Sequence, residues 1–200
     1  IDLLFMIDNS ASMADKQAIL AKAVPDLVGR LVSPDCVQVD DDGKVTAREK
    51  SQNGVCASGF GLEFNAIKDI HIGVVTSSLG GHGSDQCNPA TAGRDYDDHA
   101  RLLTRGATAA SVATWDGTSG FFQWDPNGAK TPAGEGDPAK LVNSFSDVVK
   151  GAGQVGCGFE ASLEAWYRFL VDPNPPAKVS ILDPQSTSLG SAVVEGIDEV

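Results

Sequence analysis

The chain begins Ile1-Asp2-Leu3-Leu4-Phe5-Met6-Ile7-Asp8-Asn9-Ser10-Ala11-Ser12-Met13, and this stretch decides the fold. Its apolar run is typical of a buried strand, and helical spacing follows Met13. Asp8, Ser10 and Ser12 therefore fall on the turn between a strand and a helix. Ligands of open α/β sheets bind at this carboxyl edge of the strands. One carboxylate and two hydroxyls there would suit Mg²⁺, Mn²⁺ or Ca²⁺.

A second interpretation of the same turn needs no metal. Asp8, Asn9 and Ser10 are all good helix N-caps, because their side-chain oxygens can accept hydrogen bonds from the first free backbone N–H groups. A cap requires only one such residue, whereas the pattern D-x-S-x-S supplies three oxygen-bearing side chains. We therefore favour the metal-binding interpretation.

The rest of the core is predicted from apolar periodicity. The first helix is expected over Met13–Leu31, with Pro25 kinking or dividing it. A second core strand is expected over Asp69–Ser77, which brings Thr76, Ser77 and Ser78 to the same edge as Asp8. Their hydroxyls either contact the metal ligands from outside or are simply the polar residues that usually follow a strand. Further helices are expected after the N-cap Asp137 and after Gly156. The predicted core-facing residues of the first helix are Leu20, Val24, Leu27 and Leu31, and those of the last helix are Phe159, Leu163, Trp166 and Leu170.

Residues 33–64 interrupt this pattern with a polar insertion that we expect to form a surface excursion with a short hairpin. The chain has four cysteines, Cys36, Cys56, Cys87 and Cys157. None belongs to a C-x-x-C pair, so a zinc site is not indicated. Four cysteines allow three pairings; we favour Cys36–Cys56 and Cys87–Cys157, with free thiols as the alternative.

The segment 79–100 is predicted to be a long loop, and loops of this length are usually functional or disordered. Its His and Asp side chains could hold a second metal, although solvated side chains are the simpler interpretation. Short strands are expected over Arg101–Arg105 and Phe121–Trp124, as an edge hairpin that covers the site. The nearby aromatic side chains form either a binding surface or packing under the loop. They are Trp115, Phe121, Phe122 and Trp124.

The composition excludes two classes of partner. Fifteen Lys and Arg against 27 Asp and Glu give a net charge of −12, which argues against nucleic acid and anionic membranes. No apolar run approaches the length of a membrane span. The chain has no signal peptide or initiator Met and begins within a strand, so we expect a mature or trimmed fragment.

Three segments together resemble von Willebrand factor A-type domains with a metal-ion-dependent adhesion site. They are FMIDNSASM (5–13), HIGVVTSSLGG (71–81) and GCGFEASLEAWYRFL (156–170). The resemblance is to secreted or lipid-anchored bacterial proteins. It implies one α/β domain over residues 1–200, with a doubly wound, mostly parallel sheet flanked by helices, long loop insertions, and an extracellular, cell-surface or periplasmic location. It also implies that Asp8, Ser10 and Ser12 hold a divalent cation whose coordination is completed by an acidic side chain of a partner protein.

The chain departs from the family pattern at two places. The loop near Cys157 and Gly158 lacks the Thr that completes the family's metal site. Glu160 could replace it as an oxygen ligand, or could simply be an acidic residue favoured by the helix dipole. The family also continues with a strand that ends in an acidic residue, so we expect the C-terminal strands to be missing here. A partner, a second copy or the missing segment should then cover the open sheet edge.

The predicted function is therefore a divalent-metal-dependent protein-binding or adhesion module, without catalysis. One alternative is a structural or assembly domain of the same family with a degenerate metal site. The other is a Mg²⁺-dependent phosphate-transferring hydrolase with Asp8 as the nucleophile. Ser10 stands where the D-x-D-x-T motif of such hydrolases has its second Asp, the general acid, which argues against this enzyme.

Overall fold

A computed structural model describes residues 1–52, 54–80, 97–108, 110–117, 119–156 and 160–171, and the backbone of 178–181 and 192–195. Within these residues the chain is a mixed α/β protein with three α-helices and eight strands in three small sheets. The helices are α1 (Ala14–Val32), α2 (Pro138–Gly151) and α3 (Ser162–Val171). The strands are β1 (Asp2–Ile7), β2 (Cys36–Val39), β3 (Val45–Glu49), β4 (Gly61–Leu62), β5 (Ile70–Thr76), β6 (Phe122–Trp124), β7 (Lys178–Ile181) and β8 (Ala192–Glu195).

The central sheet has the strand order β1-β5-β6 and contains both predicted core strands. β1 and β5 are parallel, with Ile7 opposite Thr76 at their carboxyl ends. Because parallel strands need a crossover connection, the chain between them includes α1. The residues after Ile7 and after Thr76 therefore emerge side by side at one edge of the sheet.

Helices cover both faces of β1. Neighbouring residues of a strand point to opposite faces. Phe5 packs with the cluster that contains α1 and α2, and its ring lies 5.0 Å from that of Phe145. Met6 packs instead with Ala165 of α3. The strand is thus enclosed between α1 and α2 on one side and α3 on the other.

The first helix differs in two respects from the expectation. Pro25 lies inside α1 but does not divide it, since Ala14–Val32 is one helix. The buried face is formed by Val24, Val28 and Val32, whereas Leu27 is 49% exposed. The predicted core-facing side is therefore wrong at Leu27.

The polar insertion forms a small antiparallel sheet of its own, with the order β3-β2-β4, so the predicted hairpin is confirmed. The predicted disulfide Cys36–Cys56 is also confirmed. Cys87 and Cys157 lie outside the described residues. Glu63 joins this sheet to α1, because its carboxylate pairs with the guanidinium groups of Arg30 and Arg48.

The expected edge hairpin is only half right. The strand Phe122–Trp124 is present and pairs with β5, but residues 101–105 form no strand and make a single bridge, from Arg105 to Ser111. β6 lies beside Ile70–Ile72, the amino-terminal part of β5, so it does not cover the opposite end. Phe122 and Trp124 are buried in the main core, which assigns these two aromatic side chains to packing.

Among the described helices, none combines the length and the apolar character that crossing a membrane requires.

Candidate metal site

In the turn after β1, local hydrogen bonds link Asp8 to Ser10 and Ser10 to Ser12. The Asp8 carboxylate accepts a hydrogen bond from the Ser10 backbone N–H at 2.9 Å through Oδ1. The hydroxyl oxygens of Ser10 and Ser12 lie 3.1 Å apart. Gln17 on α1 donates its side-chain N–H to the Asp8 carbonyl at 2.5 Å, which ties the turn to the helix that follows.

Ser10 precedes the first helical turn, but its side chain does not cap it. The Ser10 hydroxyl makes no capping hydrogen bond to the backbone, although the residue occupies the N-cap position of the short 3₁₀ turn Ala11–Met13. The Ser10 hydroxyl contacts the Ser12 hydroxyl instead. Neither hydroxyl is therefore used to cap the helical turn, and each oxygen keeps a lone pair outside their mutual hydrogen bond.

The spacing of the two hydroxyls fits an octahedral ion. Mg²⁺ takes its ligands at about 2.1 Å with right angles between neighbours, which places adjacent ligand oxygens about 3.0 Å apart. The observed separation of Ser10 Oγ and Ser12 Oγ is 3.1 Å. The separation therefore fits neighbouring positions around one Mg²⁺ ion, once the hydroxyl hydrogen between the two oxygens turns away.

The end of β5 supplies the next polar side chain. Ser77 is 1% exposed, and its hydroxyl lies 3.5 Å from Asp8 Oδ1, at the limit of a hydrogen bond. This places Ser77 beside the carboxylate, consistent with an outer contact that orients Asp8. The neighbouring Thr76 donates its hydroxyl to Asp98 Oδ2 at 2.5 Å, so it is occupied by another partner.

Glu160 is less directly connected to the turn. It is exposed, and within the described residues no hydrogen bond or ion pair joins it to Asp8, Ser10 or Ser12. The adjacent Ala161 donates its backbone N–H to the Ser77 carbonyl at 3.1 Å, which holds this part of the chain near the site. The role of Glu160 as a ligand stays a prediction.

Sequence reasoning missed the part that Asn9 plays. Its side chain is completely buried, and Oδ1 accepts hydrogen bonds from the hydroxyls of Ser78 at 2.8 Å and Ser77 at 3.3 Å. Its backbone carbonyl accepts a hydrogen bond from the Gly156 N–H at 2.9 Å. The only sequence signal was an Asn inside the turn, and that signal is shared with helix caps.

An ion pair beside the site uses one of the acidic residues of the predicted long loop. Arg105 forms two hydrogen bonds to the Asp98 carboxylate, at 2.5 and 3.0 Å, and donates its Nε–H to the Gly151 carbonyl at the end of α2. Asp98 is therefore a partner of Arg105 and not a free metal ligand. Most of the loop that could hold a second metal, including His82, Asp85 and Asp95, lies outside the described residues.

The described part of the chain contains no group of three or more His, Cys, Asp and Glu side chains arranged to hold a metal. The candidate site is of another kind, because it combines one carboxylate with hydroxyl oxygens. Such hard oxygen donors suit Mg²⁺ and Ca²⁺, not zinc or copper.

Comparisons with protein-family models, with curated proteins and with solved structures give no significant match to this chain. The assignment of function therefore rests on the residues and on their geometry.

Proposed function

We propose that this chain is a von Willebrand factor A-type domain that binds a divalent cation through Asp8, Ser10 and Ser12. The cation in turn binds an acidic side chain of a partner protein. The observation that carries the proposal is the turn after β1, where a carboxylate is followed by two hydroxyl oxygens 3.1 Å apart. This turn stands at the carboxyl edge of a parallel strand pair, where ligands of α/β sheets bind.

The doubly wound fold of that family is part of the proposal. Two features support it: β1 and β5 are parallel, and helices pack on both faces of β1. Parallel strands with both faces covered are usual in doubly wound proteins. β6 runs antiparallel to β5, and doubly wound sheets often carry such an antiparallel edge strand.

The charge of the ligand set favours an acidic partner. One carboxylate on a divalent ion leaves a net charge of about +1 at the site, because hydroxyl ligands are neutral. A carboxylate of the partner removes this residual charge. Mg²⁺ retains several water molecules in sites with few protein ligands, and one of them can be displaced by the incoming carboxylate. The site would thus hold its partner without catalysing a reaction.

The disulfide Cys36–Cys56 supports a location outside the cytoplasm. Disulfides persist in secreted, surface and periplasmic proteins and are rare in the reducing cytosol. We therefore propose a location at a cell surface, in the periplasm or in the medium.

Calorimetric titration of metal-free protein with Mg²⁺, then Mn²⁺ and Ca²⁺, tests the proposal. We expect saturable binding in the wild type and its loss in Asp8→Ala. The matched control is Asp15→Ala, which removes an exposed carboxylate in the first turn of α1 and should bind as the wild type does. Absence of binding in the wild type, or equal binding in Asp8→Ala, would overturn the proposal.

A specific observation favours a second candidate, an assembly domain whose metal site is degenerate. The turn is already held by hydrogen bonds between its own groups, since Asp8 Oδ1 accepts from the Ser10 N–H and lies near the Ser77 hydroxyl. Such a turn keeps its shape without a cation. The same titration separates the two candidates, because the assembly domain would show no cation binding at all.

A further inference from the structure

We propose that Asn9 is the positioning residue of the candidate site. Its buried carboxamide fixes the end of β5 against the turn after β1, so that Ser77 stays beside the Asp8 carboxylate that would hold the cation. This inference rests on the proposed function and extends it to a residue that the ligand pattern D-x-S-x-S does not include.

Asn9 cannot be a ligand itself. Its side chain is 0% exposed, and its Oδ1 already accepts hydrogen bonds from Ser78 and Ser77. It therefore acts through these hydroxyls. Because Ser77 and Ser78 belong to a segment about 70 residues away in the chain, the carboxamide joins two loops that have no covalent connection nearby.

Ser77 is the residue through which the Asn9 carboxamide acts on Asp8. Its hydroxyl lies 3.3 Å from Asn9 Oδ1 and 3.5 Å from Asp8 Oδ1, and it also accepts a long hydrogen bond from the Asn9 backbone N–H at 3.4 Å. A hydroxyl held at these distances restricts the orientation of the Asp8 carboxylate. Because Ser77 has one hydroxyl proton, Asn9 Oδ1 at 3.3 Å and Asp8 Oδ1 at 3.5 Å are alternative acceptors for it. Removing the carboxamide would take away the acceptor that ties the Ser77 and Ser78 hydroxyls to the turn after β1, so the end of β5 would be held less firmly beside Asp8.

A third segment packs against Asn9. Gly156 donates its backbone N–H to the Asn9 backbone carbonyl at 2.9 Å. A Cβ atom at position 156 would lie 2.3 Å from Asn9 Oδ1 and 2.8 Å from Ser78 Oγ, so only glycine fits here without displacement. Asn9 thus lies at the meeting point of the turn after β1, the end of β5 and the segment that follows α2.

The test compares cation affinity in Asn9→Ala, Ser78→Ala and the double variant. Removing outer partners of metal ligands typically weakens metal binding by about 10–100-fold. We expect Asn9→Ala to fall in this range and Ser78→Ala to be weakened about tenfold. Because both act through one hydrogen bond, the double variant should bind no more weakly than Asn9→Ala alone.

The matched control is Gln123→Ala. Gln123 also carries a buried carboxamide, 2% exposed, but it is bound to Asp69 and not to the site. This variant should lose stability and retain the wild-type dissociation constant within about twofold. If Asn9→Ala fails to fold, Ser78→Ala measured against Gln123→Ala decides the question.

Each outcome is decisive. Wild-type affinity in Asn9→Ala and Ser78→Ala, or equal weakening in Gln123→Ala, would overturn the positioning role while leaving the proposed function intact. Additive losses in the double variant would show that Asn9 and Ser78 act independently, which would also overturn the positioning role. No cation binding by the wild-type chain would refute the proposed function, and the role of Asn9 would fall with it.

Discussion

Gly156 offers a test of the site's packing that needs no cation. The substitution Gly156→Ala adds one methyl group where three segments meet. The backbone of Gly156 does not have a positive φ, so an alanine meets no conformational barrier of its own. Any effect must therefore come from the contacts of the new methyl group.

The size of the effect follows from the distances. The new Cβ would lie 2.3 Å from Asn9 Oδ1, whereas ordinary contacts begin near 3.4 Å, so the surroundings must open by about 1 Å. Overpacking of this kind costs about 1–3 kcal/mol. An alanine also restricts the unfolded chain, which offsets about 0.4–1 kcal/mol of that cost.

Gly136→Ala is the matched control, because its Cβ would have its nearest neighbour at an ordinary 3.6 Å. In Gly136→Ala the alanine restricts the unfolded chain in the same way, which stabilises the protein, but its methyl group meets no close contact. The free energies of unfolding of the two variants in urea should therefore differ by about 1–3 kcal/mol, with Gly156→Ala the less stable. Equal stabilities would refute the packing that places Gly156 against Asn9.

Three further predictions concern the scaffold. Replacing both Cys36 and Cys56 by alanine opens a loop with a sequence separation of 20 and should lower the free energy of unfolding in urea by about 3 kcal/mol; a loss under about 1 kcal/mol would contradict this. Phe145→Ala, at a fully buried ring, should cost about 3–5 kcal/mol, whereas Leu163→Ala, at a side chain 86% exposed, should change stability by less than about 0.5 kcal/mol. Two guanidinium groups lower the pKa of Glu63 from 4.5 to about 2, so its stabilising effect is complete above pH 4.5 and is lost as the pH falls towards 2. The melting temperature of Glu63→Gln should accordingly fall less over this pH range than that of the wild type. An equal fall in the two proteins would contradict the stabilising role of the Glu63 carboxylate.

The parts of the fold that the sequence predicts are those set by local pattern. β1 and β5 are short apolar runs bounded by polar residues, and such runs identify core strands. Once two strands are taken as parallel, their carboxyl ends must share an edge, which brings Ser77 near Asp8 without knowledge of any contact. Asp137 was predicted as an N-cap for the same local reason, and its carboxylate accepts hydrogen bonds from the backbone N–H groups of Ala139 and Lys140.

The buried faces of the helices are harder to predict, because the spacing of apolar residues does not determine which side of the helix faces the core. In α1, steps of three and four residues connect Val24 equally well to Leu27 and to Val28, and only the neighbouring elements decide that Val28 is buried. In α3, Leu163 and Leu170 were expected inside but are 86% and 64% exposed. Ala165 is completely buried instead, in a small cluster that includes Met6 of β1.

The contacts of Asn9 and Arg105 that organise the site could not be predicted. Asn9 and Ser78 are separated by 69 positions, and Arg105 reaches both Asp98 and the end of α2. No periodicity or motif links such residues, since hydrogen bonds across a fold depend on the final arrangement of its loops. The sequence therefore identifies candidate ligands, whereas the residues that hold them become visible only in three dimensions.

The net charge of the whole chain affects which partners could approach the candidate site. With a net charge of −12, this protein repels an acidic partner over distances of about one Debye length, roughly 8–10 Å at physiological ionic strength. A cation bound at Asp8, as proposed, would reverse that repulsion only locally, where a carboxylate could replace a water molecule on the ion. Under the proposed function, the acidic surface therefore opposes association with acidic partners in the absence of metal, and the cation supplies the attraction at one point. Under the same proposal, adhesion would be selective, because a partner would have to offer a carboxylate that reaches the ion and not merely a complementary surface charge.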